Sequence, residues 1–190
     1  MTKTIFLAGG CFWGTQHYLK QIEGVIETQT GFANGNTEER TRSLGIGAEV
    51  VEQPTYEQVY TDRTGYAETV RVTFDPSVLP LRKLVELYFL CIEPTSLNRQ
   101  GNDEGTRYRT GIYYIDPDDR LEIMDVYNTV QHGYSCPLAV EVEPLERFTP
   151  ASEYHQDYLD KHPDGYCHLP ESLFEFARQA NRRQPHPRDL

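Results

Sequence analysis

Hydrophobic and polar positions along this chain follow two rhythms, one of period two and one near 3.6, and their order predicts its elements. Thr4 to Leu7 is an apolar run that reads as a buried strand. Past Gly9-Gly10, Tyr18, Leu19 and Ile22 fall at helical spacing until Gly24 stops the helix. Val25 to Phe32 predicts a second strand, closed by the turn Ala33-Asn34-Gly35. Ala67 to Phe74 alternates, with Val70, Val72 and Phe74 on one face, and Asp75-Pro76 ends it. Leu81, Leu84, Val85, Tyr88 and Ile92 form a helical stripe after Pro80. Thr110 to Ile115 predicts a strand, and Asp116-Pro117 opens a helix carrying Ile123, Val126, Tyr127 and Val130. Leu138, Val140 and Val142 share one face of a further strand, and a last helix is expected over Glu171 to Ala180.

The polar stretches between these elements divide the chain further. Residues 36–53 read as an inserted surface loop, and 98–109 as an ordered loop with two glycines. Beyond Pro144 the regular signals fade, leaving 145–170 irregular and 171–190 a terminal helix and tail. The order β-α-β-β-α-β, then α-β, predicts an α+β protein. We expect a ferredoxin-like α/β sandwich, with a mixed or antiparallel sheet and a long irregular C-terminal segment. At 190 residues one domain spanning 1–190 suffices.

Charge narrows the partners. The formal net charge of −11, from 29 acidic and 18 basic side chains, disfavours nucleic acid and anionic membrane surfaces. No run approaches the ~20 apolar residues of a membrane span, and the N-terminus makes a poor signal peptide, so a cytoplasmic location is expected. A monomer is expected as well, although no feature of the sequence fixes the oligomeric state. The four cysteines, Cys11, Cys91, Cys136 and Cys167, include no Cys-x-x-Cys pair and are too sparse for a secreted disulfide scaffold. They serve core packing or transient redox chemistry.

Gly9-Gly10-Cys11-Phe12-Trp13-Gly14 sets a cysteine at a strand-to-helix turn, where the first helical amides point at its sulfur. A helix N-terminus favours thiolate, so the Cys11 pKa is expected to fall, making it a nucleophile with two large aromatic rings fixed beside it. The plain alternative is a small buried thiol in a turn that needs glycine. Glu68, counted by two, shares a face with Val70, Val72 and Phe74. Desolvation there would raise its pKa and make it a general acid, unless the strand begins one residue later and leaves it solvated.

Gly10-Cys11-Phe12-Trp13-Gly14 resembles the signature of the A-type peptide methionine sulfoxide reductases. Further pieces follow in the family's order. Gly65-Tyr66-Ala67-Glu68 is similar to its Gly-His-Ala-Glu segment, with tyrosine replacing histidine at 66. The run Arg99 to Arg109 resembles its Gln-Gly-x-Asp…Gly-x-x-Tyr-Arg loop. Glu153 to Tyr158 and Gly165-Tyr166-Cys167 also match. The lack of paired cysteines counts against the B type.

The resemblance implies the ferredoxin-like core and a set of roles. Cys11 would attack the sulfoxide sulfur and become a sulfenic acid. Glu68 would donate the proton, while Tyr56 and Tyr108 bind the oxygen and Asp103 organises the pocket. Phe12, Trp13 and Tyr166 would hold the methyl group. Cys167 would then form a disulfide with Cys11, reduced by thioredoxin or another dithiol, with no metal or organic cofactor. Oxidised proteins or peptides and free methionine sulfoxide would be the substrates. Cys91, on a helical stripe, is expected to be structural; Cys136 matches no family position. Two other classes compete: a non-catalytic module that binds methionine sulfoxide or an apolar peptide, and a thiol peroxidase or redox sensor using Cys11 and Cys167.

Overall fold

A computed structural model describes residues 1–38 and 48–180. Its strands are β1 (Lys3–Gly9), β2 (Val25–Ala33), β3 (Ala67–Phe74), β4 (Arg99–Gln100), β5 (Asp103–Glu104), β6 (Thr110–Tyr114), β7 (Glu141–Pro144) and β8 (Phe148–Pro150). Its helices are α1 (Phe12–Leu19), α2 (Tyr56–Tyr60), α3 (Leu81–Leu90), α4 (Asp119–Gln131), α5 (Tyr158–Lys161) and α6 (Glu171–Ala180), with a 3-10 turn at Thr106–Tyr108. Six strands form one sheet in the order β7-β6-β1-β3-β2-β8, and β4 and β5 make a separate two-stranded ribbon. Only the β6–β7 pair is parallel, so the sheet is mixed.

The helices lie on one face, where Ile5, Leu7, Val70, Val72, Phe74 and Ile112 meet Tyr18, Leu19, Leu84 and Val85 in a continuous core. Each such fully buried aliphatic side chain stabilises the fold by about 1.5–3 kcal/mol. The opposite face is thinner. Phe6, Ala8, Ala33, Ala67 and Tyr113 lie under Leu145 and Phe148, with the Phe6 and Phe148 ring centroids 5.0 Å apart.

Pairing decides where the site can be. β1 runs antiparallel to β3 with Leu7 opposite Val70, so two residues further along each strand stand Gly9 and Glu68. β2 sets Phe32 opposite Glu68, and β6 sets Thr110 opposite Gly9. One end of the sheet therefore gathers the exit of β1 into Cys11, the start of β3 at Glu68, and the 98–109 loop entering β6.

β3 and α6 have the bounds read from the sequence. β1 is longer than Thr4 to Leu7 because β3 pairs its first half and β6 its second. The strand expected from Leu138 begins at Glu141: the Ala139 amide donates to the Pro94 carbonyl at 2.7 Å, outside the ladder, although Leu138 and Val140 are buried. The segment 145–170 is not irregular throughout, because it contains β8 and α5. In the expected insertion, residues 39–47 lie outside the described residues, as do 181–190 of the expected tail. The ends of the loop are tied by Asn36, whose amide donates to the Thr64 carbonyl at 2.8 Å and whose side chain donates to the Arg63 carbonyl at 2.8 Å.

Candidate active site

Cys11 is the N-cap of α1 and is buried. Gly10 enters it at φ +82°, and a Cβ there would come within 2.5 Å of the Gln100 side chain, so the turn needs glycine twice over. The Thr15 hydroxyl closes the first turn by donating to the Gly9 and Cys11 carbonyls at 3.1 and 3.2 Å.

The amides of Trp13 and Gly14 do pull the Cys11 thiol down, as the sequence predicts. The net direction is the reverse of that expectation. Burial, then the charge of Glu68, push the thiol well above its usual value. A helix terminus contributes about 0.3–2 kcal/mol, whereas full burial moves a pKa by up to ~3–5 units at about 1.4 kcal/mol each, so burial wins. At rest Cys11 is a thiol, not a thiolate.

Glu68 is 2% exposed on the apolar face of β3, so the solvated alternative does not hold. One carboxyl oxygen accepts the Phe12 amide at 3.0 Å. Burial pushes the carboxyl up to about 8 against the pull of that amide and of Arg107. It is thus mostly protonated at neutral pH, one residue from the nucleophile candidate.

Aromatic rings enclose this pair. Phe12 is buried 5.7 Å from Phe32 and 5.4 Å from His155 by ring centroid. Trp13 stacks on Tyr158 at 3.7 Å and donates its indole N–H to His155 Nδ1 at 3.2 Å. Tyr56 also stacks on His155, at 4.5 Å. Next to them opens a cavity of about 610 Å³ lined by Phe32, Tyr56, Glu57, Ala151, Tyr154 and His155. α2 delivers Tyr56 through a capping box in which Thr55 and Gln58 satisfy each other's backbone amides.

The 98–109 loop supplies the polar side. Tyr108 is buried, pushed up to about 12 by burial and then by Glu68. Burial and Glu68 also raise Tyr56. Arg107 lies over the Tyr60 and Tyr108 rings at 4.1 and 4.5 Å, anchored on Asp62 at 2.6 Å. Asp103 accepts the hydroxyl of Tyr166 at 3.0 Å, and its charge reaches Glu68, Cys11 and Cys167. Tyr166 is 45% exposed, a rim residue held by Asp103 rather than an enclosed wall.

Cys11 and Cys167 are both free thiols. A Cβ on Gly14 would meet Cys167 Sγ at 3.0 Å, so the second sulfur lies against the first turn of the helix that Cys11 caps. Cys91 is buried, and its thiol donates to the Tyr88 carbonyl at 3.1 Å, which fits a structural role. Cys136 is exposed.

All nine sequence-predicted site residues therefore meet around the start of α1. Arg107, His155, Tyr158 and His168 are the neighbours to which the sequence reading gave no role. Tyr154, His155 and Tyr158, grouped beyond the last predicted strand, carried a legible aromatic signal; His168, beside Cys167, carried none.

A buried thiol, a buried acid bonded to the amide beside it and a second thiol packed against the same helix turn define a cysteine-based oxidoreductase site on a mixed α/β fold. The family model described as peptide methionine sulfoxide reductase matches residues 3–186. The peptide methionine sulfoxide reductase MsrA of Clostridium acetobutylicum is 47% identical over 173 residues, 91% of this chain and 98% of its own. Reduced Mxr1 from Saccharomyces cerevisiae superposes with a TM-score of 0.77 at 34% identity, covering 87% of this chain and 88% of its own. Methionine sulfoxide reductase A of Corynebacterium diphtheriae gives 0.71 at 31% identity over 87% and 77%. The chain belongs to the peptide methionine sulfoxide reductases of the A type, and its activity is the thiol-dependent reduction of peptide-methionine (S)-S-oxide.

Proposed function

We propose that the chain reduces methionine-S-sulfoxide, protein-bound and free, through a Cys11 sulfenic acid and a Cys11–Cys167 disulfide recycled by thioredoxin. The observation that carries this reading is the buried Glu68 carboxyl bonded to the amide next to Cys11, where burial pushes it up to about 8. The substrate methyl group packs among Phe12, Trp13 and the Tyr166 rim, while Tyr56 and Tyr108 donate to the sulfoxide oxygen. Glu68 passes its proton to that oxygen, which makes the sulfur electrophilic. Cys11 sulfur bonds to it as its own proton is released to Glu68. The S–O bond breaks, the hydroxyl ends on Cys11 and methionine leaves, so the two electrons come from the thiol.

Cys167 then condenses with the sulfenic acid, releasing water. A dithiol such as thioredoxin reduces the disulfide by exchange. Each step is thiol chemistry and calls for no metal or organic cofactor. Free cysteines suit the reducing cytoplasm, and among the described residues no helix is long and apolar enough to cross a membrane. We class the β1-α1-β2-β3-α3-β6 unit as ferredoxin-like and the whole chain as one catalytic unit, acting as a monomer on oxidised proteins.

The test offers purified protein the S and R epimers of a methionine sulfoxide peptide, free methionine sulfoxide and hydrogen peroxide, with disulfides mapped by mass spectrometry. Methionine from the S epimer together with a Cys11–Cys167 bond is expected, and Cys11→Ser should abolish both. Turnover of peroxide alone would favour a peroxidase, and binding without turnover a recognition module.

A further inference from the structure

His168 holds a position that the first half of this cycle does not use. It follows Cys167, and its ring lies across the start of α1. A Cβ on Gly14 would meet the ring Cε1 and Nδ1 at 3.1 Å, and one on Gly10 would meet Nε2 at 3.6 Å. The ring therefore reaches from Gly10 to Gly14 across the turn that holds Cys11, and it shares the surface of Gly14 with the Cys167 sulfur.

Both ring nitrogens are cut off from solvent, and among the described residues neither has a well-aligned hydrogen-bond partner; even with an N–H turned to the Gly9 carbonyl, the second nitrogen is left as an unpaired acceptor. Leaving a buried polar atom unpaired costs about 1–3 kcal/mol, which a purely structural side chain has no reason to sustain. The neighbouring Gln100 side chain does not satisfy the ring. Its amide is taken up at both ends by the Glu93 backbone, at 2.8 and 3.0 Å. The groups that act on the ring favour a proton arriving there: the Asp103 carboxylate from β5 and the Gly9 carbonyl from β1. The other titratable groups around it are the Cys11 and Cys167 thiols and the Tyr166 hydroxyl, which is engaged by Asp103. Glu171, at the start of α6, acts on Cys167.

We propose that His168 is the base of the resolving step, taking the Cys167 thiol proton as that sulfur attacks the Cys11 sulfenic acid. The inference rests on the sulfenic acid cycle proposed above. The Cys167 S–H bond breaks and its proton passes to the imidazole. The S–S bond forms as the S–O bond of Cys11 breaks, and the imidazolium returns the proton to the departing hydroxide, which leaves as water. The sulfenic sulfur is reduced and the Cys167 sulfur oxidised, so no further oxidant enters.

The chemistry needs such a base. Burial raises the Cys167 thiol, and Glu171 and Asp103 raise it further against the Leu169 amide, so little thiolate exists at neutral pH. Burial lowers the imidazole, leaving it neutral and able to accept.

The experiment mixes reduced enzyme with one equivalent of peptide methionine-S-sulfoxide, without thioredoxin. Methionine, trapped sulfenic acid and the Cys11–Cys167 disulfide are then followed by rapid quench. In His168→Asn, disulfide formation should slow by about 100-fold relative to the methionine burst, with sulfenic acid accumulating. Added imidazole should restore the rate in His168→Ala. The wild-type disulfide rate should rise through an inflection below the usual imidazole range, which both variants lack. Disulfide formation at the wild-type rate in His168→Asn overturns the proposal, as does equal slowing of burst and disulfide or a slow His168→Ala that imidazole does not rescue. A second arm makes the sulfenic acid with excess hydrogen peroxide. If the wild-type protein gives no methionine from the sulfoxide, the functional reading fails, and this arm still decides the role of His168.

Discussion

The amide of Phe12 donates to the Glu68 carboxyl across 3.0 Å, so the residue after Cys11 and the buried acid of β3 are one hydrogen-bonded unit. The antiparallel register of β1 and β3 puts them there. The separation of Glu68 from the Cys11 turn is therefore set by the sheet rather than by loop conformation.

Glu68 links activity to pH. Its carboxyl is raised from 4.5 to about 8, so the folded protein holds a proton that the unfolded chain releases. Stability should then fall as pH rises from about 4.5 to about 8 and stay level above that. Glu68→Gln removes this cost, so its melting temperature should gain on wild type between pH 5 and 8.5. The first-turnover rate should hold steady up to about pH 8 and fall beyond it as the donor ionises. Glu68→Gln should cut that rate by about 100-fold or more and abolish the falling limb. A variant with the wild-type rate and profile would mean that another group protonates the oxygen.

Cys167→Ser separates the half-reactions. The variant should release one equivalent of methionine per enzyme and then stop with thioredoxin as reductant. The helix turn around Gly14 would carry a hydroxyl in place of the sulfur that lies there now. Sustained thioredoxin-driven turnover would move the resolving role to exposed Cys136 or to direct reduction of the sulfenic acid.

Trp13 tests the aromatic enclosure. Trp13→Phe keeps a ring against Tyr158 but loses the indole N–H bond to His155, whereas Trp13→Ala loses both. The alanine variant should raise KM for a peptide sulfoxide by about tenfold, the equivalent of about 1.4 kcal/mol, and the phenylalanine variant by less. An unchanged KM in Trp13→Ala would remove Trp13 from the binding surface.

Much of this was legible in the sequence for a physical reason. Glu68 could be placed because a strand's period of two puts it on the face of Val70, Val72 and Phe74, whichever neighbours the strand finds. The Cys11 turn could be placed because two glycines interrupt an apolar run. The state of the Cys11 thiol is not legible because helix polarity is local, whereas the burial that outweighs it, and the charge of Glu68 that adds to it, arise only when the chain folds. β8 was missed because three residues cannot display a period, and Phe148 earns its place only by lying on Phe6. Arg107 looked like one charge in a polar loop until folding set it over Tyr60 and Tyr108.

Gly14 offers the sharpest separation of stability from recycling. It lies within α1, where replacing glycine by alanine favours the helix by about 1 kcal/mol. The new methyl would come to 3.0 Å from Cys167 Sγ and 3.1 Å from the His168 ring, so the 167–168 segment must move away from the helix. Cys11 itself is not displaced, because its turn is closed by Thr15 from the other side. Gly14→Ala should therefore melt no lower than wild type and keep its methionine burst, while disulfide formation and steady-state turnover with thioredoxin slow about tenfold, the effect of about 1.4 kcal/mol on a barrier. Rapid-quench measurement of methionine against disulfide in this one variant decides the matter: a disulfide rate equal to wild type would mean that Cys167 does not approach Cys11 across the face of Gly14.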